Sequence, residues 1–384
     1  MSNTLTGLIP TLYNALDVVS RELVGFIPAV SSDMTFERAA KGQTVTSPVA
    51  PASVASDINP AVTPPNDGDQ NIGSVSMTIT KARRVPVRWN GEEKKGLDNN
   101  GASFNVIFRD QIAQAMRTLT NEVESDLAGL SRYASRAYGT PGTAPFSTNL
   151  SDTAQVRKIL SDNGAPLGDL QTVIDTSAGA NMRTLTQLSK ANESSDTSLL
   201  RRGVLLDVHG FAIRESAQIQ TLSSGTGALA TTNTAGYPIG STAITLASAG
   251  TGTILNGDFI TFAGDTNKYA VASGDTDASN GGTITLAAPG LRKAISAAAT
   301  AITVVSASTR NMSFARSAIA LATRAPALPP QGDSAVDRQI ITDAVSGLSF
   351  EIAMYAQYRQ MQYEVSLAWG VAAVKPDHIA VLLG

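Results

Sequence analysis

A stripe of apolar residues at helical spacing, held for nine steps between Phe104 and Ala137, constrains this chain more than any other feature of its sequence. Steps of three and four residues keep these side chains on one face of an α-helix. At 1.5 Å per residue the helix is about 50 Å long, several times the usual length in a globular domain. We therefore predict a continuous spine helix over Phe104–Ala137, capped by Ser103 and stopped by Gly139 and Pro141. Its predicted core residues are Phe108, Ile112, Met116, Leu119, Val123 and Leu127.

The segment before this helix has the composition of an extended loop. Five prolines lie between Gly42 and Gly73, with almost no large apolar side chain among them. From Val75 to Trp89, apolar and polar residues alternate, which predicts a strand of about fifteen residues, about 50 Å long. Because such a segment has no core of its own, we interpret residues 40–98 as a projecting loop whose partners lie on other molecules.

The densest cluster of charges lies at the end of this alternating stretch. Both signs are present and the whole chain has a net charge of −3, which disfavours a nucleic-acid-binding patch. Two interpretations stay open, a solvated strand end and a set of ion pairs between subunits. The candidate intersubunit contact residues are Lys81, Arg83, Arg84, Arg88, Trp89, Glu92 and Glu93.

The two ends of the chain carry further periodic patterns. Apolar residues at threes and fours predict a helix over Thr4–Phe26, which either packs on its own core or lies as an arm on a neighbouring subunit. Near the C-terminus, alternation over 348–354 and again over 361–371 predicts two long strands joined near Tyr358 and Arg359. The apolar segment Ile379–Leu383 is expected to form a buried strand.

The middle of the chain changes character at about residue 222. Residues 151–220 predict a mixed α/β region, whereas Thr, Ala, Gly and Ser dominate over 222–308, where five short strands alternate with glycine turns. After it, Phe314–Ala325 is again an apolar segment, helical or extended. We therefore predict a separate small β domain that is inserted in the chain rather than appended to it.

Few enzyme mechanisms can be built from these residues. The chain has no cysteine and two histidines, His209 and His378, and no G-x-S-x-G motif accompanies them. The run Asp275–Gly281 resembles the start of a calcium loop, but Asn280 stands in place of the turn glycine and Leu286 in place of the bidentate glutamate. We expect no catalytic site, no cofactor and no metal. No apolar stretch is long enough to span a bilayer, and the N-terminus lacks the pattern of a signal peptide.

Three segments give a resemblance to a known family. The segments 257–264, 311–319 with Arg324 and Pro326, and 367–379 are similar to coat proteins of the Salmonella short-tailed phage type, which carry an inserted β-barrel domain. The order of arm, Pro-flanked loop, spine helix, α/β domain and paired long strands resembles the tailed-phage major capsid proteins of the Hong Kong 97 (HK97-like) fold. The likeness covers nearly the whole chain.

This resemblance implies an α+β fold with defined parts. They are an N-terminal arm over 1–39, an extended loop over 40–98, a peripheral domain over 99–147 and 337–366, an axial domain over 148–221, 309–336 and 367–384, and an inserted β-barrel over 222–308. It also implies a non-enzymatic protein that assembles as pentamers and hexamers into an icosahedral shell around double-stranded DNA, in the cytoplasm of a bacterial host. The implied partners are other copies of the chain, a separate scaffolding protein, a portal protein, packaged DNA and a decoration protein. The alternatives are an exported β-rich surface-layer or adhesion protein and a hydrolase with a β accessory domain.

Overall fold

The computed structural model describes residues 23–49, 55–60, 62–63, 69, 71–99, 104–189, 205, 207–342 and 346–384. The predicted N-terminal helix lies almost wholly outside these residues, and so does the predicted cap Ser103. Within them the chain is α+β, as expected, with two large sheets, a separate β-hairpin and five α-helices. The helices are α1 (Gly91–Asn99), α2 (Phe104–Gly129), α3 (Ser151–Asp162), α4 (Thr176–Thr184) and α5 (Thr186–Ser189).

The first sheet has six strands and is organised around the longest of them. Its strands are β1 (Ser31–Ala39), β4 (Lys81–Asn90), β15 (Ile319–Pro326), β16 (Ala335–Thr342), β17 (Ser349–Gln357) and β18 (Gln360–Ala373). Strand β18 pairs with β17 along its first half, with β15 along its second half and with β4 along the opposite edge. The predicted pair of long strands near the C-terminus is confirmed, with a tight turn at Tyr358 and Arg359, where Arg359 has φ of 55°.

Helix α2 packs on this sheet through its apolar stripe. The ring of Phe108 lies 4.5 Å from the ring of Tyr363 on β18, and Phe104 meets Trp89 on β4 edge to face at 5.3 Å. The six predicted core residues of the stripe are all buried. Burial of such a stripe stabilises the fold by about 1.5–3 kcal/mol for each large side chain.

The spine helix is shorter than the prediction of a continuous helix over Phe104–Ala137, which is wrong at its C-terminal end. Helix α2 ends at Gly129, and a short 3₁₀ turn over Leu130–Tyr133 follows. Ala134 is extended, and the backbone N–H of Ser135 donates to the carbonyl oxygen of Ile379 at 2.9 Å. Ala134 and Ala137 are buried and continue the helical spacing of the stripe, which is why the predicted helix extended to them. Small side chains such as these pack equally well from an extended segment.

The second sheet has eleven strands in the order β13-β10-β11-β5-β19-β14-β6-β7, with β12 on β11, β9 on β12 and β8 on β14. Its parallel pairs are β5 with β19 and β6 with β7. The strands are β5 (Arg136–Gly139), β6 (Leu170–Ile174), β7 (Phe211–Glu215), β8 (Thr221–Leu222), β9 (Ala243–Thr245), β10 (Phe259–Phe262), β11 (Lys268–Ser273), β12 (Thr283–Leu286), β13 (Ile302–Val304), β14 (Ser308–Ala315) and β19 (Ile379–Leu383).

Residues 222–308 contain their own apolar core. Strands β9 to β13 surround a cluster of buried side chains that includes Ile244, Ile260, Val271 and Ile284. The region is also joined to the rest of the chain, because β11 pairs with β5 through Lys268 and its neighbour. The two sets of strands therefore form one continuous sheet.

Sheet membership cuts across the domain ranges implied by the resemblance. Strand β5 belongs to the second sheet, although its residues fall in the predicted peripheral range 99–147. Strand β15 belongs to the first sheet, although its residues fall in the predicted axial range 309–336. Both differences arise because β5 and β15 pair with strands that are distant in sequence. Composition along the chain gives no information about such pairing.

The single long strand predicted over 75–89 is also corrected. The chain forms β3 (Gly73–Thr78) and β4 as separate strands, because Ile79 and Thr80 change partners between them. The N–H of Ile79 donates to the carbonyl oxygen of Gln43, whereas the N–H of Thr80 donates to that of Trp369. Strand β4 therefore lies in the first sheet and not in a projecting loop.

Candidate assembly surfaces

The hairpin of β2 (Thr44–Val49) and β3 stands apart from both large sheets. The two strands pair only with each other among the residues that the structure describes. Their base is anchored, because Met77 and Ile79 are buried against Ala322 and Ala368 of the first sheet. Two strands with open edges offer unpaired backbone groups that natural monomers normally cover or interrupt.

The segment that connects β2 to β3 exposes apolar side chains. Ile58 is 96% exposed and Ile72 is 71% exposed, and Val62 is also fully exposed. No hydrophobic contact within the described chain compensates for this exposure. Exposed branched side chains next to an open strand edge are the pattern of a surface that another molecule covers.

The predicted charge cluster is engaged within the chain. Lys81 Nζ lies 2.7 Å from Asp126 Oδ1 on α2, Arg83 Nε lies 3.1 Å from Glu122 on the same helix, and Arg84 Nη1 lies 2.7 Å from Glu364 on β18. Hydrogen bonding to Glu122 raises the pKa of Arg83. These pairs connect β4 to its neighbours, an arrangement that neither sequence interpretation included.

The other members of the cluster divide into two groups. Trp89 Nε1 donates to Gln111 Oε1 at 2.8 Å, and Glu93 with Asn90 forms a reciprocal capping pair at the start of α1, with N···O distances of 3.1 and 2.7 Å. Arg88 and Glu92 are exposed. A role of these residues in contacts between subunits stays a prediction.

Glu124 is a functional candidate that the sequence analysis missed. It lies on α2, is 1% exposed, and accepts hydrogen bonds from the backbone N–H groups of Gly25, Phe26 and Ile27 at 3.3, 3.1 and 2.8 Å. The hydroxyl of Ser216 donates to it at 2.8 Å. Burial raises the pKa of Glu124, and the four hydrogen bonds oppose that rise. In the sequence, Glu124 directly follows Val123 of the apolar stripe. An acidic residue at this place was the signal that could have indicated a buried carboxylate.

The candidate catalytic and metal-binding residues lie in turns. His209 has φ of 51° in a turn before β7, and its Nδ1 lies 2.7 Å from the hydroxyl of Thr153. Burial lowers the pKa of His378, which stands in a short 3₁₀ turn. Asp275 and Asp277 bind nearby backbone N–H and side-chain groups of their own loop. In the described ranges, no group of three or more metal-ligating acidic, His or Cys side chains comes together.

The described helices include none with the length and hydropathy needed to cross a membrane.

Comparison with solved structures finds similar chains over almost the full length. A structure from Mycobacterium phage Che8 has a TM-score of 0.44 and 12% identity, with 96% of this chain and 90% of that chain covered. The capsid of cyanophage P-SCSP1u has a TM-score of 0.46 and 12% identity, with 94% of this chain and 88% of that chain covered. A virus-like particle from Pyrococcus furiosus has a TM-score of 0.46 and 10% identity, with 98% of this chain and 99% of that chain covered. Comparison with protein-family models and with curated protein sequences gives no match.

Proposed function

We propose that this chain is the major capsid protein of a tailed bacteriophage, a structural subunit that assembles as pentamers and hexamers into an icosahedral head. The observation that carries the proposal is the β2–β3 hairpin, which is anchored at its base and open at both edges, and whose connecting segment exposes Ile58 and Ile72. Among the described residues, neither strand of this hairpin pairs with a strand other than its partner in the hairpin. Neighbouring copies of the chain supply the missing partner surface.

The rest of the fold supplies a rigid frame for such a contact. Helix α2 is held to the first sheet by a buried apolar stripe, and the ion pairs of Lys81 and Arg83 lie at the edge of this contact. The base of the hairpin continues directly into β4 of that sheet. A force applied to the hairpin in a shell is therefore transmitted to the longest helix and the longest strand of the subunit.

The further partners follow from the family resemblance. They are a scaffolding protein during assembly, a portal protein at one vertex, double-stranded DNA held by non-specific contacts, and a decoration protein on the outer surface. Assembly takes place in the host cytoplasm, and the mature location is the virion. In this role the chain has no catalytic function.

Electron microscopy of the purified full-length chain tests the proposal. Wild-type protein is expected to form shells or rings of capsomers, whereas the double substitution Ile58→Asp/Ile72→Asp is expected to remain as folded subunits, because carboxylates cannot enter an apolar contact unpaired. Ile239→Asp is the matched control, since Ile239 is exposed to a similar degree but lies in the inserted region. A wild-type chain that remains monomeric under all assembly conditions, or a double variant that assembles like wild type, contradicts the proposal.

A further inference from the structure

A groove of about 690 Å³ lies where the C-terminal end of α2, the segment 218–222 and the end of β18 meet. Much of its wall is apolar. A concave surface of this size and character is typical of a binding site for a polypeptide segment with apolar side chains or for a small molecule. Its apolar lining residues include Ala128, Leu130, Ile219, Leu222, Val371 and Pro376.

Two buried polar atoms in the groove wall have no hydrogen-bond partner among the described residues. They are Ser131 Oγ, in a fully buried residue, and Arg310 Nε, in a residue that is 5% exposed. The great majority of buried polar atoms in proteins are paired, because an unpaired one costs about 1–3 kcal/mol. Both atoms are enclosed by protein, so an occupant of the groove would meet the polar part of its wall at the exposed residue Arg132 instead.

The groove also carries an excess of positive charge. Lys81 and Asp126 neutralise each other, whereas Arg132 and Arg310 have no ion pair in the described part of the chain. Burial lowers the pKa of Arg310; the nearby charge of Asp258 opposes this, and that of Arg132 adds to the lowering. The groove is thus matched to an apolar segment that carries carboxylates.

The N-terminal part of the chain joins the described structure at the edge of this groove. Glu124 binds the backbone of residues 25–27, and the next two residues of α2, Ser125 and Asp126, line the groove. Ser216, which also binds Glu124, lies two residues before the lining residue Gln218. The described chain therefore starts close to residues that line the groove.

The sequence of this segment has the chemistry that the groove lacks. Leu12, Leu16 and Val19 recur at threes and fours, and Asp17 and Glu22 supply negative charge. A helix of this length reaches about 33 Å at 1.5 Å per residue, enough to cross a groove next to its own attachment point. A tethered segment also acts at an effective concentration in the millimolar range, which favours the segment of the same chain over a second copy.

We propose that this groove is the docking site of residues 1–22 of the same chain, with their apolar face on the groove wall and their carboxylates beside Arg132 and Arg310. The proposal does not depend on whether the chain builds a shell, because it concerns a contact within one subunit. Of the two interpretations of the N-terminal segment, packing on its own subunit and lying as an arm on a neighbouring subunit, the proposal favours the first.

Disulfide trapping in the full-length chain tests this contact, since the natural sequence has no cysteine to interfere. Ala128→Cys in the groove is combined in turn with Leu12→Cys, Leu16→Cys or Val19→Cys, and oxidation is followed on non-reducing gels and by mass spectrometry. At least one of these pairs is expected to form an intrachain disulfide at least tenfold faster than the control pair, in which Ser248→Cys replaces Ala128→Cys. Ser248 is the matched control because it is exposed on the inserted region.

A charge exchange tests the role of the arginines. Arg132→Glu, at an exposed position, is expected to slow the trapping several-fold, and adding Asp17→Arg is expected to restore it. Trapping at the control rate for all three pairs overturns the docking site. Disulfide-linked dimers in place of intrachain links overturn the assignment to the same chain and indicate a second copy. Trapping that is insensitive to Arg132→Glu overturns the charge contact.

Discussion

The carboxylate of Glu124 connects three parts of the chain that are distant in sequence. It is on α2, its backbone donors are residues 25–27, and its side-chain donor is Ser216 at the end of β7. The same residue thus fixes where the N-terminal segment meets the body. Because it is buried, its protonation state is coupled to the stability of the whole subunit.

Glu124→Gln is expected to change the pH dependence of stability. The folded-state pKa of Glu124 is raised by burial, so the folded chain binds the proton more tightly than the unfolded chain. The stabilisation from this group is complete below the unfolded pKa of about 4.5 and is lost as the pH rises towards the raised folded pKa. The wild type should therefore lose stability relative to Glu124→Gln as the pH rises through this window.

Urea unfolding of both proteins at a series of pH values from 4 to 8 measures this difference. Glu122→Gln is the control, since Glu122 lies two residues away on the same helix and pairs with Arg83 at the surface. A stability difference between wild type and Glu124→Gln that stays constant over the series would show that the buried carboxyl does not titrate differently in the two states.

The centre of α2 is the position at which a single charge does most damage. Leu119 is 1% exposed, and Leu119→Asp places an unpaired carboxylate in the main core, at a cost of about 4 kcal/mol. The expected result is insoluble protein. Val106→Asp is the control, because Val106 lies on the same helix but is about half-exposed. Soluble, assembling Leu119→Asp protein would refute the burial of this face.

At the scale of elements, the inserted region has both its own core and a shared strand pairing. The buried cluster of Ile244, Ile260 and Val271 is complete within 222–308, and Tyr237 packs against it. The pairing of β11 with β5 is the backbone link to the rest of the second sheet. Phe259 and Ala270 of the region are also buried in the main core, so both kinds of contact contribute to its stability in the full chain.

A fragment over residues 222–308 is expected to fold alone, since the apolar cluster does not need residues outside it. Proton NMR of the fragment should show dispersed methyl and amide signals. Ile260→Asp in the fragment should abolish that dispersion, whereas Ile239→Asp, at an exposed position, should preserve it. Random-coil shifts for the unmodified fragment would mean that the edge supplied by β5 is required.

At the scale of the whole molecule, the two sheets and α2 form the frame and the hairpin is its one separate extension among the described elements. Strand β4 connects them, and its charges are paired with α2 and β18 on the frame. Because these pairs are exposed, they contribute little to folding. The same charges lie beside the base of the hairpin, where a neighbouring subunit in a shell would approach.

Reversing both charges in Arg83→Glu/Arg84→Glu is expected to leave the subunit folded and to weaken assembly. Circular dichroism should show an almost unchanged melting curve, and sedimentation velocity should show fewer or no shells. The control Lys158→Glu/Lys293→Glu changes the net charge equally at exposed positions elsewhere. Normal shells from the first variant, or equal loss of shells from the control, would remove β4 from the assembly contact.

The sequence predicted those elements in which the apolar residues recur at a regular period within one segment. Thr283–Leu286 is a strand with the predicted bounds, and the long strands β17 and β18 with their turn were also predicted. In each of them the local period marks the strand, although the structure buries both faces of β17 over 350–353 and of β18 over 365–370. The α+β class follows from the same patterns.

The sequence by itself thus determined the stripe of α2, the C-terminal strand pair and the scarcity of catalytic side chains. Only the tertiary structure decided where α2 ends, that β3 and β4 are separate, and that Arg83 and Arg84 have partners on α2 and β18. The physical reason is common to all three. Each depends on a hydrogen bond or an ion pair with a residue distant in sequence, such as the one between Ser135 and Ile379, and a local period contains no information about such a partner.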